Sequence, residues 1–358
     1  MQNLRLIKGH VWPPDYRIMT NKYKVLIIAP AWVGDMVMSQ TLFKLLKSQY
    51  GERLVLDVFA NDWAKDILRR MPEVDNVITN PFLHGKLALL KRVKLGLKFR
   101  HEKYDQVFVL PNSLKSAITP LFSKIKKRTG FVGESRYIFL NDIYRLNRQK
   151  LPRMIDRFCA LLNRGNLLSN IPNPELIIDT QNQIKLVSTL QLDTRKKLVA
   201  FCPAAEFGPA KRWFPEHFAA LADMLINDGY QVVILGSNKD TVISNEIINH
   251  ARNKTIIDAC GKTNLVDAVD LLGLANYVVT NDSGLMHIAC AVGSNVVAIY
   301  GSSSPNFTPP LSAKAQILQI PLECSPCFAR TCRFEHYNCL RFITPNMVYE
   351  KIVNVTSA

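Results

Sequence analysis

The residues best placed to do chemistry sit where apolar runs end. Lys24-Val-Leu-Ile-Ile-Ala-Pro30 leads into Trp32-Val33-Gly34-Asp35. Gly34 permits a tight turn, and Asp35 falls at the start of a helical pattern, where the helix dipole favours an ionised carboxylate. Such a carboxylate can act as a general base, or it can cap the free N–H groups of the helix; the local pattern leaves both readings open. A second run ends in Pro203-Ala-Ala-Glu-Phe-Gly-Pro-Ala-Lys-Arg-Trp213. Small residues beside Lys211 make either a phosphate cradle of backbone N–H groups and an ammonium, or a solvated basic loop. The third segment is Thr280-Asn281-Asp282-Ser283-Gly284-Leu285-Met286-His287. Free amides at Ser283 and Gly284, with His287 one turn later, suit a diphosphate held on a helix N-terminus. Gly261-Lys-Thr263-Asn264 and Gly236-Ser237 also follow apolar runs, and each reads equally as a nucleotide contact or an ordinary turn.

Elements that can hold these segments alternate along the chain. Lys24–Pro30, Leu54–Ala60, Val74–Ile78 and Tyr104–Leu110 are predicted strands, with helices after Asp35 and from Asn61 to Met71. The pattern breaks between Ile171 and Lys196, where Pro172, Pro174 and polar residues cluster. It resumes with strands at Lys197–Cys202, Gln231–Leu235, Ile256–Ala259, Tyr277–Thr280 and Asn295–Tyr300, and with a helix over Phe214–Asp228. A last helix opens at Thr344-Pro345. Two α/β halves, each with a doubly wound parallel sheet, follow from this order, with ligands expected beyond the carboxyl ends of the strands. No G-x-G-x-x-G follows a strand and no G-x-S-x-G occurs, so a dinucleotide fingerprint and a hydrolase elbow are both missing.

Composition sets the outer bounds. The 358 residues, 48% apolar and 21% charged, describe a globular chain of about two domains. Mean hydropathy is +0.02, and no apolar run is long enough to span a bilayer. The N-terminus lacks a signal peptide's apolar core, and residues 1–22 read as an irregular extension, with Met19 an alternative start. Eight cysteines in a chain this large are not a disulfide framework, so a cytoplasmic protein is expected. The net charge of +16 points to an anionic partner. A nucleic-acid binder is disfavoured, because aromatic residues are not interleaved with the basic runs.

Three stretches, APAWVGDMVMSQTL, FCPAAEFGPAKRWFPEHFA and TNDSGLMHIACAVGSNVVAIYGSSSP, together resemble glycosyltransferase family 9, the ADP-heptose:lipopolysaccharide heptosyltransferases. WVGDMVMSQ and EFGPAKRWFP carry the likeness toward the type II branch. The resemblance runs from about Lys24 to the C-terminus. It implies a GT-B architecture of two Rossmann-like domains: residues 23–180 for the acceptor, 181–342 for ADP-heptose, and a terminal helix in 343–358 packing back on the first domain. It implies an inverting transfer of heptose from ADP-L-glycero-D-manno-heptose to the first heptose of a Kdo–lipid A core, at the cytoplasmic face of the inner membrane. Asp35 takes the place of the family's base. Lys211, Asp282, Gly284 and His287 fall on donor-site positions, to which Ser283, Glu206, Gly236, Ser237 and, loosely, Thr263 are added. Two threonines of the type I loop are missing between Pro203 and Gly208. No cofactor is required on this reading, since no DxD pair sits at a strand end. A type I or III heptosyltransferase is the alternative within the family. A nucleotide-sugar epimerase on the same fold leaves the charge unexplained. A basic nucleic-acid- or membrane-binding protein without catalysis is the rival outside enzymes.

Two further clusters fall outside these motifs. In His84–His101, Leu87, Leu90, Val93 and Leu97 share a helical face, with Lys86, Lys91, Arg92, Lys94, Lys98 and Arg100 around them. This reads either as a helix docked by its leucines on its own domain or as a surface for anionic lipid or a phosphorylated acceptor, which Lys124, Lys126, Lys127 and Arg128 extend. Cys324-x2-Cys327-x4-Cys332-x6-Cys339, with His336 in the last gap, has the density of a structural zinc site; reduced thiols packing a loop are the plainer reading.

Overall fold

The computed structural model describes residues 22–82 and 85–354. The N-terminal extension, the question of Met19, and His84 therefore fall outside the described residues, apart from Lys22. The first half runs β1 (Tyr23–Ile28), α1 (Val33–Tyr50), β2 (Leu54–Ala60), α2 (Lys65–Leu68), β3 (Asn76–Thr79), α3 (Leu89–Phe99), β4 (Gln106–Val109), α4 (Leu114–Phe122), β5 (Lys127–Phe131), β6 (Asp142–Tyr144) and α5 (Met154–Ala160). The second runs α6 (Thr180–Thr189), β7 (Leu198–Cys202), α7 (Pro215–Asn227), β8 (Gln231–Ile234), α8 (Thr241–His250), β9 (Ile257–Asp258), α9 (Leu265–Leu274), β10 (Tyr277–Asn281), α10 (Gly284–Ala291), β11 (Asn295–Tyr300), β12 (Ala315–Gln319), α11 (Asn338–Arg341) and α12 (Pro345–Val353).

Each half is a six-stranded parallel sheet. The orders are β3-β2-β1-β4-β5-β6 and β12-β11-β10-β7-β8-β9, which are the same winding. The direction of winding reverses between β1 and β4 in one sheet and between β7 and β10 in the other, and ligands of such sheets bind at these points. β1 shows why its sequence is apolar throughout. Val25 and Ile27 join the core under α1, while Leu26 and Ile28 join a separate core under α3 and α4. A strand covered on both faces has no polar side.

The halves are joined on the α1 side. α1 packs on α10, and one apolar core runs from Met36 and Val37 into Met286 and Ile288. Gln40, fully buried, donates to the Glu175 carbonyl at 2.7 Å and accepts from the Glu175 N–H at 2.9 Å. Arg70 pairs with buried Asp270 at 2.5 Å across the same seam.

Several expectations need correction. The polar stretch from Ile171 to Lys196 contains α6, capped by Asp179, and α6 packs on α9. The second half therefore begins with Thr180. α12 does not return to the first half: it lies on α7, and Val348 and Ile352 enter the second half's own core beside Trp213. Lys127 and Arg128 belong to β5, and β5, β6 and β12 extend the sheets beyond the strands read from the sequence.

Candidate active site

The first-half site grows from the turn after β1. The helix begins at Val33 with Trp32 as its N-cap residue, and no side chain caps it. Asp35 is thus inside the first turn and is not the capping group. Burial pushes its carboxyl up to about 6, against a lowering influence from Lys211 and a further raising one from Asp282. Desolvation outweighs the helix dipole, so the expectation of a dipole-stabilised carboxylate is reversed.

The second-half site is built at the β7/β10 switch point. Asn281, fully buried, accepts from the Trp213 N–H at 3.0 Å and donates to the Pro203 carbonyl at 2.6 Å. It ties the loop after β7 to the end of β10. That loop delivers Lys211, whose Nζ lies 2.5 Å from the Asp282 Oδ2. The other Asp282 oxygen accepts from the Thr308 hydroxyl at 3.2 Å, and the Thr308 carbonyl accepts from Tyr300 at 2.6 Å. Ala210 accepts from the Ser302 N–H at 3.0 Å, drawing the loop after β11 alongside.

Four buried polar atoms at this edge have no protein partner: Oγ of Ser283, Ser302 and Ser303, and Nδ1 of His287. Each costs about 1–3 kcal/mol if left unmade. The Ser283 hydroxyl and the amides opening α10 follow directly on Asp282 and its Lys211 partner, whereas Ser302 lines the small cavity of the cysteine loop. His287 is buried and its imidazole is pushed down to about 4, mainly by desolvation, so it is neutral near pH 7. Any hydrogen bond it donates is therefore that of an uncharged imidazole.

The two helix starts interlock. A Cβ on Gly34 would lie 2.7 Å from the His287 Cδ2, and one on Gly284 would lie 2.7 Å from the Val33 Cβ. Neither glycine has positive φ, so what they provide is room: the His287 ring against Gly34 and the Val33 side chain against Gly284 sit where only hydrogen fits. Asp35 therefore stands beside Lys211 and Asp282, which lie 176 and 247 residues farther along the chain.

The other expected residues are placed as follows. Ser237 donates to Asp240 at 2.7 Å, Thr263 donates to the Ala259 carbonyl at 3.2 Å, and Gly236 packs against Asp240 and Cys260, all around the ends of β8 and β9. The hydroxyls of Ser237 and Thr263 are thus engaged within their own loops. Glu206 is exposed on the loop after β7. The α3 residues proposed for the acceptor lie away from Asp35, because α3 covers the sheet face opposite α1. Arg92 is buried: its guanidinium stacks 4.0 Å from the Phe82 ring and donates to the Leu87 carbonyl, so it meets no acceptor. Lys91, Lys94, Lys98 and Arg100 are exposed on that outer face. Among the described residues no group of three or more His, Cys, Asp or Glu is arranged to hold an ion. All four thiols of the cysteine cluster are free and line one cavity of about 20 Å³; Cys339 is buried in the core while Cys327 is exposed. Ser302, Ser303 and Thr308 were not singled out from the sequence; the one available signal was the serine run directly after an apolar strand.

The family model for glycosyltransferase family 9 (heptosyltransferase) matches residues 92–338. The chain belongs to that family. It is 44% identical over 307 residues to lipopolysaccharide heptosyltransferase 2 of Salmonella typhimurium, covering 83% of this chain and 88% of that protein. It is 44% identical over 342 residues to lipooligosaccharide heptosyltransferase 2 of Haemophilus influenzae, covering 92% and 98%. The solved structure of Escherichia coli ADP-heptose LPS heptosyltransferase II superposes with a TM-score of 0.84 at 38% identity, over 94% of this chain and all of that one. The paired parallel sheets of this family 9 enzyme are the GT-B arrangement of that structure, with Asp35 on one side of the seam and the donor cradle on the other.

Proposed function

We propose that this family 9 enzyme moves heptose from ADP-L-glycero-D-manno-heptose onto the first heptose of a Kdo–lipid A inner core, with inversion, as a type II heptosyltransferase. The observation that carries the mechanism is the set of unpartnered donors around Lys211, directly across the seam from a carboxylate. The acceptor hydroxyl is a weak nucleophile. Asp35 removes its proton as the oxygen attacks the anomeric carbon, and the bond to the diphosphate breaks on the opposite face. Negative charge then grows on the leaving ADP. Lys211, the Ser283 hydroxyl, the α10 amides and neutral His287 are fixed in advance where that charge forms, and so favour the transition state over the ground state. The Lys211–Asp282 pair holds the ammonium in place until diphosphate competes for it.

The ends of β8 and β9, with Gly236 and Gly261, are the reading for the nucleoside, next to β7 in the sheet. The acceptor's lipid anchor implies work at the cytoplasmic face of the inner membrane. Among the described residues no helix is long and apolar enough to cross a membrane. The test is transfer itself. Purified protein with ADP-heptose and a mono-heptosylated acceptor yields ADP and a di-heptosylated product. An Asp35→Ala variant that turns over at the wild-type rate removes the base assignment; product from an acceptor lacking the first heptose removes the type II assignment.

A further inference from the structure

α3 shows its leucines to solvent. The sequence offers Leu87, Leu90, Val93 and Leu97 as one face, and the plain expectation is that this face packs on the sheet. The structure does the reverse. The helix is seated by Arg92, Gly96 and Phe99, with Gly96 close against Phe122 and the Thr119 carbonyl. Leu90 is 76% exposed, Leu87 53%, Leu89 49% and Leu97 40%. Exposed lysines stand between them at positions 91, 94 and 98. From Pro81 to His101 the chain has six Lys and Arg and neither Asp nor Glu. On the same side of the sheet, the loop whose Phe139 and Leu140 pack into the α3 core exposes Ile138 at 80% and Tyr137 at 55%. That loop is held by Arg136, which is fully buried and donates to the carbonyls of Pro111 and Phe131 at 2.7 and 2.5 Å.

Large apolar side chains on a rigid, wholly cationic face are the wrong surface for water and the right one for an anionic bilayer interface. Leucines enter the headgroup–acyl boundary while lysines meet lipid phosphates. We propose that the α3 face of the first half, centred on Leu87, Leu90, Lys91 and Lys94, is a docking surface for an anionic lipid bilayer. The inference rests on the reading that the acceptor is lipid-anchored. The most exposed leucines precede or open α3, on the segment that comes off the carboxyl end of β3. That is the edge of the first sheet at which Asp35 also stands, so docking there brings the cleft to the membrane surface without passing a helix through it.

The test uses the full chain and vesicles of phosphatidylethanolamine with phosphatidylglycerol, against vesicles of phosphatidylcholine alone. Wild type is expected to sediment with the anionic vesicles and to be released as salt rises. Lys91→Gln with Lys94→Gln should weaken binding about fivefold per lysine. Leu87→Ser with Leu90→Ser should weaken it on the order of tenfold per leucine, with an unchanged melting temperature, because neither side chain is in the core. The leucine variant should still transfer heptose to a water-soluble, delipidated acceptor at the wild-type rate, and lose rate only on acceptor embedded in vesicles. Wild type that ignores anionic vesicles, or a leucine variant that binds them undiminished, overturns the docking surface. A leucine variant whose change is in oligomeric state alone assigns the face to a second copy of the chain and overturns it too. Failure of wild type on the soluble acceptor strikes the proposed reaction instead, whatever the vesicles show.

Discussion

The raised pKa of Asp35 has a consequence for stability and for rate that can be measured with one substitution. Its carboxyl moves from 3.8 to about 6, chiefly by burial, which corresponds to about 3 kcal/mol held against the charged form. The folded state binds the proton more tightly than the unfolded chain does. The contribution of Asp35 to stability is therefore greatest below pH 4, is lost as pH rises from about 4 through 6, and stays lost above it. Asp35→Asn keeps the shape and removes the charge. It should unfold at higher denaturant than wild type at pH 7.5, by as much as about 3 kcal/mol, and the difference should vanish near pH 4. The same variant should lose roughly 100- to 10,000-fold in kcat. In wild type, kcat/KM should fall about tenfold per pH unit below 6. His287 cannot supply that limb, since its imidazole is held down near 4. Two neighbours provide the control: Lys211→Met should move the midpoint up and Asp282→Asn should move it down, because they remove opposite charges near Asp35. Urea unfolding by tryptophan fluorescence across pH, with initial rates of ADP release, checks all of this. A kcat/KM flat from pH 5 to 8, or an Asn variant no more stable than wild type at pH 7.5, refutes the reasoning.

Other perturbations probe the frame around the site. Gly34→Ala forces a methyl to within 2.7 Å of the His287 ring and should cost about 1–3 kcal/mol in unfolding free energy; adding His287→Ala should recover part of that loss, a coupling a double-mutant cycle detects. Arg70→Met removes the cation paired with the buried Asp270 carboxylate, which keeps its bonds from the Asp179 N–H and Asn182, and should cost up to about 3–5 kcal/mol in the same measurement. Thr308→Val removes the hydroxyl that donates to Asp282, a loss of about 1–3 kcal/mol, and should raise KM for ADP-heptose in steady-state assays more than it lowers kcat.

How much was legible in the sequence follows from where each signal lay. β1, β7, β10 and β11 are buried on both faces, so their apolar runs announce them, and the ligand edge of an open parallel sheet then locates Asp35, Lys211 and Asp282. β6 is three residues at a sheet edge, and β12 is Ala-Gln-Ile-Leu-Gln, half polar; neither has an apolar run to read. α6 hides among glutamines and asparagines that pack on α9 through Asn182 and Gln183. Thr308 reaches Asp282 from a loop beyond β11, a contact with no periodicity. Arg92 shows the limit most clearly: within a run of lysines it reads as one more surface charge, and only the Phe82 ring beneath it explains why it is the member that turns inward.

The glycine contacts between α1 and α10 also govern how the molecule can open. The Val33 side chain on Gly284 and the His287 ring on Gly34 leave no room for a methyl, and Gln40 and Arg70 fasten the same side farther along. A joint so close to Asp35 is a fulcrum. Rotation of one half against the other would displace atoms in proportion to their distance from it, so the far rims of the two sheets would swing while Asp35 and the start of α10 kept nearly constant separation. Opening by such a rotation would widen the cleft at its periphery without taking the joint apart.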